Sequence, residues 1–448
     1  MPTSSLPDIR PGRLSADEYA RRFSDASPRM TPAQAVLEAE RCLYCFDAPC
    51  ASACPTHIDV PSFIRRIADG NLRGAAHAIL DANPLGGMCA RVCPTEVLCE
   101  RVCVRNTQEG KPVAIGRLQR HAVDAVLDDD KPLFTRAGAT GQRVAVVGAG
   151  PAGLACAHTL ARLGHAVVVF DARPKAGGLN EYGLAAYKTA EGFAQRELAW
   201  LLSIGGIEVR NDWKLESAAQ LQALRDEYDA VFLGLGLAGT HKLGVPGESL
   251  QGVQDAVDFI ATLRQSSDLA TLPIGRKVVV IGGGMTAVDA AVQSRLLGAE
   301  KVQMVYRRGA QAMSASQAEQ DWAQTQGVTI RHTLAPVELL GHNGHVRAVR
   351  FERQALVNGQ LAPSGEFEEI EADMVLKAIG QQLLSTVLAE AGVRLDGGRI
   401  ATQADGLTSL SGVWAGGDCR VGGLDLTVEA VAHGKQSAAA IHAQLSHA

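Results

Sequence analysis

The sequence predicts an α + α/β chain, a small helical domain followed by two dinucleotide-binding (Rossmann-like) domains. Three observations carry that reading. Eight of the ten cysteines fall between Cys42 and Cys103. Two strand–glycine turn–helix–strand units follow, opening at Arg143 and at Lys277. The apolar pattern changes from a helical period to β/α runs between the cysteines and the first glycine turn. At 448 residues the chain is long enough for about three domains with their own cores.

Composition narrows the function. Hydrophobic residues make up 46% and charged residues 20%, an ordinary globular balance. A net charge of −5 gives no electrostatic attraction to nucleic acid or acidic lipid. Aromatic residues are only 4%, too sparse for base-stacking platforms. Met1–Arg10 has no basic start followed by an apolar run, so no secretory signal is read. The apolar segment Val144–Phe170 is broken by His158, Arg162 and His165 and reads as strand–turn–helix–strand, not a membrane span. Clustered cysteines argue against a disulfide scaffold, and the expectation is a cytoplasmic, reduced protein with no nucleic-acid or membrane partner.

Taken in order, residues 1–30 are polar and Pro/Ser-rich and read as an arm over the surface. Thr31 followed by Pro32 marks a helix start, with the helix expected over Ala33–Arg41. Helical spacing recurs over Val60–Ala82 and Ile115–Leu127. Residues 1–125 thus read as a helical domain organised by its cysteine ligands. Asp128–Gln142, loose in composition, reads as a linker. Strands are expected at Arg143–Val147 and Ala166–Phe170 around a helix ending at Arg162. The same design returns as Lys277–Ile281, a helix to Leu297, and Lys301–Tyr306, which suggests two nucleotides rather than a solenoid.

The cysteines read Cys42-x2-Cys45-x4-Cys50-x3-Cys54-Pro55 and Cys89-x3-Cys93-Pro94-x4-Cys99-x3-Cys103. Soft thiolates at such spacing suit iron–sulfur clusters or zinc. Zinc sites are commonly built from CxxC pairs, and Cys42/Cys45 is the one such pair here. The two Cys-Pro steps echo ferredoxin runs. Lone Cys156 and Cys419 read as small core residues, and the twelve histidines show no metal spacing.

The first glycine signature is Gly148-Ala149-Gly150-Pro151-Ala152-Gly153, with Asp171 ending the next strand 23 residues after Gly148. Gly148 permits the tight turn, Gly150 lets backbone approach a pyrophosphate, and Gly153 packs helix on strand. The pyrophosphate would lie on the helix N-terminus and Asp171 would accept from a ribose. The second signature is Gly282-Gly283-Gly284-Met285-Thr286-Ala287, Ala287 still being small enough for close packing. Tyr306-Arg307-Arg308 replaces the acid after its second strand. Arg307 and Arg308 suit a 2′-phosphate, hence NADPH over NADH, unless they are surface arginines that meet only solvent.

Near the C-terminus, Gly412-Val413-Trp414-Ala415-Gly416-Gly417-Asp418 and Thr427–Lys435 resemble the closing flavin motif of two-dinucleotide flavoproteins. That resemblance implies that Asp418 holds a ribitol chain and that the helix starting near Thr427 points at the flavin. The first site is then FAD, with its domain split into 141–255 and 381–448 around an NAD(P)H-binding insertion over 256–380.

Cys42–Cys54, Asn83-Pro84-Leu85-Gly86, Cys89–Cys103, Ile115-Gly116-Arg117-Leu118-Gln119 and both glycine motifs together resemble the electron-input half of dihydropyrimidine dehydrogenase. In bacteria that half is a separate flavin subunit, and the glutamate synthase small subunit shares its architecture. The resemblance implies two [4Fe-4S] clusters, one on Cys42, Cys45, Cys50 and Cys103, the other on Cys54, Cys93, Cys99 and Gln119. Cys89 is left over; from the residues alone, Cys89 and Gln119 are alternatives. The resemblance further implies oxidation of NAD(P)H through FAD and the clusters, for an FMN- and iron–sulfur-containing partner that reduces uracil or thymine. A glutamate synthase small subunit is the alternative, and a zinc-stabilised scaffold with a structural flavin is one of another class. Gly177-Gly178-Leu179 keeps the family start, with Gly178 at the flavin site, but the usual Gly-Ile-Pro segment is missing. Met285 stands where Asp or Asn is usual.

Overall fold

The computed structural model describes residues 14–129, 131–357 and 359–446. The segment read for a secretory signal, Met1–Arg10, lies outside them. The chain forms two compact units. One comprises residues 27–181, 191–239 and 382 onward; the other comprises the chain up to residue 26, 182–190 and 240–381.

The first unit opens with helices. Thr31 and Gln34 form a reciprocal capping box ahead of the helix Pro32–Ala39. The expected run Val60–Ala82 is two helices, Val60–Ala68 and Leu72–Ala82. Gly70 breaks it at φ +75°, and the Asn71 side chain caps the second helix by accepting from Gly74 N–H. Gly86–Val92 and Ile115–Leu127 complete the bundle. Phe63, Ile64, Ile67, Ile79, Leu80 and Leu118 fill its core, with Cys42, Cys50, Cys54, Cys99 and Cys103 packed against it.

The same unit holds a five-stranded parallel sheet in the spatial order 413–415, 230–233, 143–147, 166–170, 207–210. Helix Pro151–Arg162 packs on helix Thr427–Ser446. Gly434 allows their close approach, since a Cβ there would lie 2.1 Å from the Ala152 carbonyl oxygen.

The second unit repeats the design. Its parallel sheet runs 253–255, 374–377, 277–281, 301–306, 328–332. An antiparallel sheet of Leu334–His342, His345–Val357 and Gln360–Glu371 joins it. Residues 14–26 are not a loose arm: Ala16–Arg22 is a helix, and Tyr19 is buried with its hydroxyl donating to Leu297 O at 3.3 Å.

Candidate functional site

Strand Arg143–Val147 delivers the first glycine turn and helix Pro151–Arg162 leaves it. Gly148 is at φ +106°, and a Cβ there would stand 2.2 Å from Gly234 O. A Cβ on Gly153 would meet Gly148 O at 1.8 Å. Gly150 differs: its φ of −81° suits any residue, and a Cβ would meet only Gly178 Cα at 3.9 Å. Packing therefore does not explain glycine at 150, whereas room for a bound group does. The helix start has no side-chain cap, so its first-turn N–H groups are available to an anion. Asp171 accepts from Ala149 N–H at 2.6 Å and Arg173 N–H at 2.8 Å, which anchors the carboxylate at the turn. Burial pushes its pKa up.

Gly417, Asp418, Thr427 and Gly178 belong to the same unit. Asp418 lies on the turn Gly417–Cys419 and makes no hydrogen bond among the described residues. Burial raises its pKa to about 6. A half-buried acid without a donor fits a hydroxyl-bearing ligand. Thr427 donates from Oγ1 to Asn180 Oδ1 at 3.1 Å at the start of the last helix. Arg420, which the motif reading missed, has Nε and Nη1 buried without partners. Its only signal in sequence is a cation two residues after Asp418. These residues fit a flavin dinucleotide.

In the second unit Gly282 is at φ +154°, and a Cβ there would lie 2.3 Å from Ala378 O. Gly284 is at φ −101° and precedes helix Met285–Leu296, whose start again has no side-chain cap. Ala287 is fully buried, as a residue packing helix on strand should be. Arg307 and Arg308 follow strand Lys301–Tyr306; both are exposed, and neither has a carboxylate partner among the described residues. These residues fit a second dinucleotide.

The thiols form two groups. Cys42, Cys45, Cys50 and Cys103 line one partly open cavity, with Val60, Ile64 and Ile115 in its wall. In the other group, Cys93 is hydrogen-bonded to Cys89 and lies near Cys99 and Cys54. Gln119 is 7% exposed and donates from Nε2 to Gly86 O at 2.7 Å, and its Oε1 makes no hydrogen bond among the described residues. Burial pushes Cys50 up to about 11, so a metal bound at this thiol would have to displace a proton. Among the described residues no three His, Cys, Asp or Glu side chains converge on a single ion-sized point. The thiols of the first group instead stand around a space, which suits a multi-atom cluster.

Two uncapped glycine cradles and a thiol-rich helical domain define the class, a flavoprotein oxidoreductase using a pyridine nucleotide. Comparison with known proteins agrees. The family model "Dihydroprymidine dehydrogenase domain II, 4Fe-4S cluster" matches residues 19–131. "Pyridine nucleotide-disulphide oxidoreductase" matches residues 142–434. The chain is 34% identical to the NAD-dependent dihydropyrimidine dehydrogenase subunit PreT of Salmonella typhimurium, covering 95% of this chain and 98% of that one. It is equally 34% identical to the glutamate synthase [NADPH] small chain of Halomonas elongata, covering 96% and 94%. Mycobacterium tuberculosis FprA in complex with NADPH has the same fold over 68% of this chain and 85% of its own (TM-score 0.56, 20% identity). So does T. acidophilum thioredoxin reductase, over 68% and 100% (TM-score 0.52, 20% identity). The chain belongs to the pyridine nucleotide-disulphide oxidoreductase family, with the PreT subunit and glutamate synthase small chains among its relatives. Among the described residues no helix is long and apolar enough to cross a membrane.

Proposed function

We propose that this chain is the electron-input subunit of a cytoplasmic complex that reduces uracil or thymine to the 5,6-dihydro base. It oxidises NAD(P)H and supplies a partner subunit carrying FMN and iron–sulfur centres. The observation that carries this reading is end-to-end similarity to the PreT subunit. Gly148, Gly150, Gly153, Asp171, Gly178, Gly417, Asp418 and Thr427 hold FAD. Gly282, Gly284 and Ala287, in the 256–380 insertion, hold the nicotinamide nucleotide, with Arg307 and Arg308 favouring NADPH. Cys42, Cys45, Cys50 and Cys103 hold one [4Fe-4S] cluster; Cys54, Cys93, Cys99 and Gln119 hold the other.

Bound flavin supplies two-electron chemistry towards the nicotinamide and one-electron chemistry towards the clusters. The chain's own part is positional. Uncapped N–H groups at Pro151–Arg162 and Met285–Leu296 bind pyrophosphates. Asp171 orients a ribose, Asp418 orients a polyol chain, and the Thr427 helix end offers its positive pole to the flavin. The cavity of Cys42, Cys45, Cys50 and Cys103 has apolar Ile64 and Ile115 in its wall, side chains that would shield a cluster from water.

A second reading, the small subunit of glutamate synthase, is favoured by similarity of the same extent to those chains. The deciding test is anaerobic NAD(P)H oxidation by the chain alone and with a co-expressed FMN subunit. Uracil-dependent oxidation only in the pair supports pyrimidine reduction. Dye reduction without any response to uracil turns the acceptor towards a glutamine-dependent partner. Iron and acid-labile sulfide at about eight each per chain are expected; about two zinc ions would overturn the electron-transfer reading.

A further inference from the structure

Gly86 O and Gly87 N–H belong to one peptide group, and two side chains grip its opposite edges. Gln119 Nε2 donates to Gly86 O at 2.7 Å. Gly87 N–H donates to Glu197 Oε1 at 2.7 Å, and the same oxygen takes Met88 N–H at 3.0 Å. Glu197 stands on helix Phe193–Leu202 and is 1% exposed. Both glycines are needed for this approach. A Cβ at Gly87 would lie 2.6 Å from Phe193 Cζ and 2.8 Å from Glu197 Oε1, and one at Gly86 would lie 2.6 Å from Ile79 Cγ2. The charged groups facing Glu197 are Arg91 and Asp124. Arg91 spans the site: it donates to Gly87 O at 3.0 Å and to Asp124 Oδ1 at 2.7 Å.

We propose that Glu197 is a positioning residue for the glutamine-bound cluster, acting through the Gly86–Gly87 peptide on the Gln119 amide. The inference rests on the ligand set given above. A planar peptide transmits polarisation along a hydrogen-bonded chain, by roughly 10–30% per bond. Negative charge at the Gly87 N–H makes Gly86 O a stronger acceptor. That holds the Gln119 NH2 group and enriches the electron density on Oε1. A more electron-rich ligand disfavours adding an electron, so Glu197 lowers the potential of that cluster and leaves the all-cysteine cluster alone. An acid that served only to satisfy two N–H groups would do its work equally well as an amide.

The test is an EPR-monitored redox titration of the holoenzyme. It compares wild type, Glu197→Gln, Glu197→Asp and Gln119→Cys. It is run at about pH 8.5, above the value of about 7 to which burial pushes Glu197, so that the carboxyl is ionised. Glu197→Gln keeps an acceptor oxygen and removes the charge. The expected result is that one cluster becomes easier to reduce by about tenfold, about 59 mV for a one-electron couple. It should be the cluster whose spectrum Gln119→Cys alters. No shift, or an equal shift of both clusters, with iron content intact overturns the relay. An unaltered spectrum in Gln119→Cys instead removes the ligand assignment, and the relay with it. If Glu197→Gln holds less iron than wild type, Glu197→Asp decides: a smaller shift of the same cluster in the same direction supports the relay, and no shift at full iron content overturns it.

Discussion

The Lys188 ammonium lies 2.7 Å from Asp289 Oδ1, joining a crossing segment to the helix that follows the second glycine turn. Glu319 shares the same ammonium at 2.8 Å. Tyr187 donates its hydroxyl to Asp289 Oδ1 at 3.2 Å, and Ala186 N–H donates to Gln293 Oε1 at 3.0 Å. Residues 185–188 are thus clamped to helix Met285–Leu296 at Asp289 and Gln293, roughly one to two and a half turns beyond Gly284.

Removing the cation should be costly. Lys188→Met removes the ammonium that Asp289 and Glu319 share in a mostly buried site, a loss of about 3–5 kcal/mol. Calorimetry should show a lower Tm for the transition of this unit, with Lys188→Arg falling between the two. A Tm within a degree or so of wild type would mean that solvent screens the trio.

Gly150 and Gly153 should separate ligand space from packing space. Gly150→Ala introduces a methyl group into an open cradle at an unstrained φ, so the protein should fold and lose FAD, as read by flavin absorbance after gel filtration. Gly153→Ala places Cβ against the Gly148 carbonyl and should lower stability itself, by roughly 1–3 kcal/mol. Flavin retention in Gly150→Ala would remove the pyrophosphate from that turn.

Arg307→Glu with Arg308→Ser should raise KM for NADPH by roughly 10- to 100-fold, about 1.4–2.7 kcal/mol, with little effect on NADH. Both groups are exposed and carry no ion pair among the described residues, so Tm should hold. Equal effects on the two nucleotides would take the 2′-phosphate away from this strand end.

Asp418 should make the FAD-free protein sensitive to pH. Its folded pKa of about 6 lies above the ordinary carboxyl value, so the folded state holds the proton more tightly than the unfolded state. Stability is then highest below about pH 4 and falls as pH rises through about 6, by up to about 3 kcal/mol. Asp418→Asn should flatten that dependence, raise the Tm of the FAD-free protein at pH 7.5, and weaken FAD retention. Thermal melts at pH 5 and pH 7.5 read all of this except the retention.

Much of the scaffold was legible because its signals are local. Ile115–Leu127, Ala166–Phe170 and Lys277–Ile281 lie where apolar period and flanking glycines place them. The break at Gly70 was missed because a lone glycine is tolerated within a helical pattern; the available signal was the shift of phase between the apolar sets Phe63, Ile64, Ile67 and Ala76, Ile79, Leu80. Tyr19 sits among polar neighbours, and its burial depends on residues near 297, far along the chain. Glu197 was invisible for the same reason. On an amphipathic helix it looks like a solvated face residue, while the N–H groups it meets lie 110 and 109 residues earlier. The cysteine array was easy to see, but spacing alone does not say which thiols come together; in the fold Cys42, Cys45, Cys50 and Cys103 line one cavity.

The interleaving of the two units sets an order of synthesis. Every residue proposed as a cluster ligand lies at or before Gln119, and so leaves the ribosome before either glycine turn does. The first parallel sheet stays one edge strand short through all of 240–381, until Val413–Ala415 emerges to pair with Ala230–Leu233. No contiguous stretch of the chain therefore makes up this unit alone, and dissecting the protein by truncation will cut through a sheet before it isolates a function.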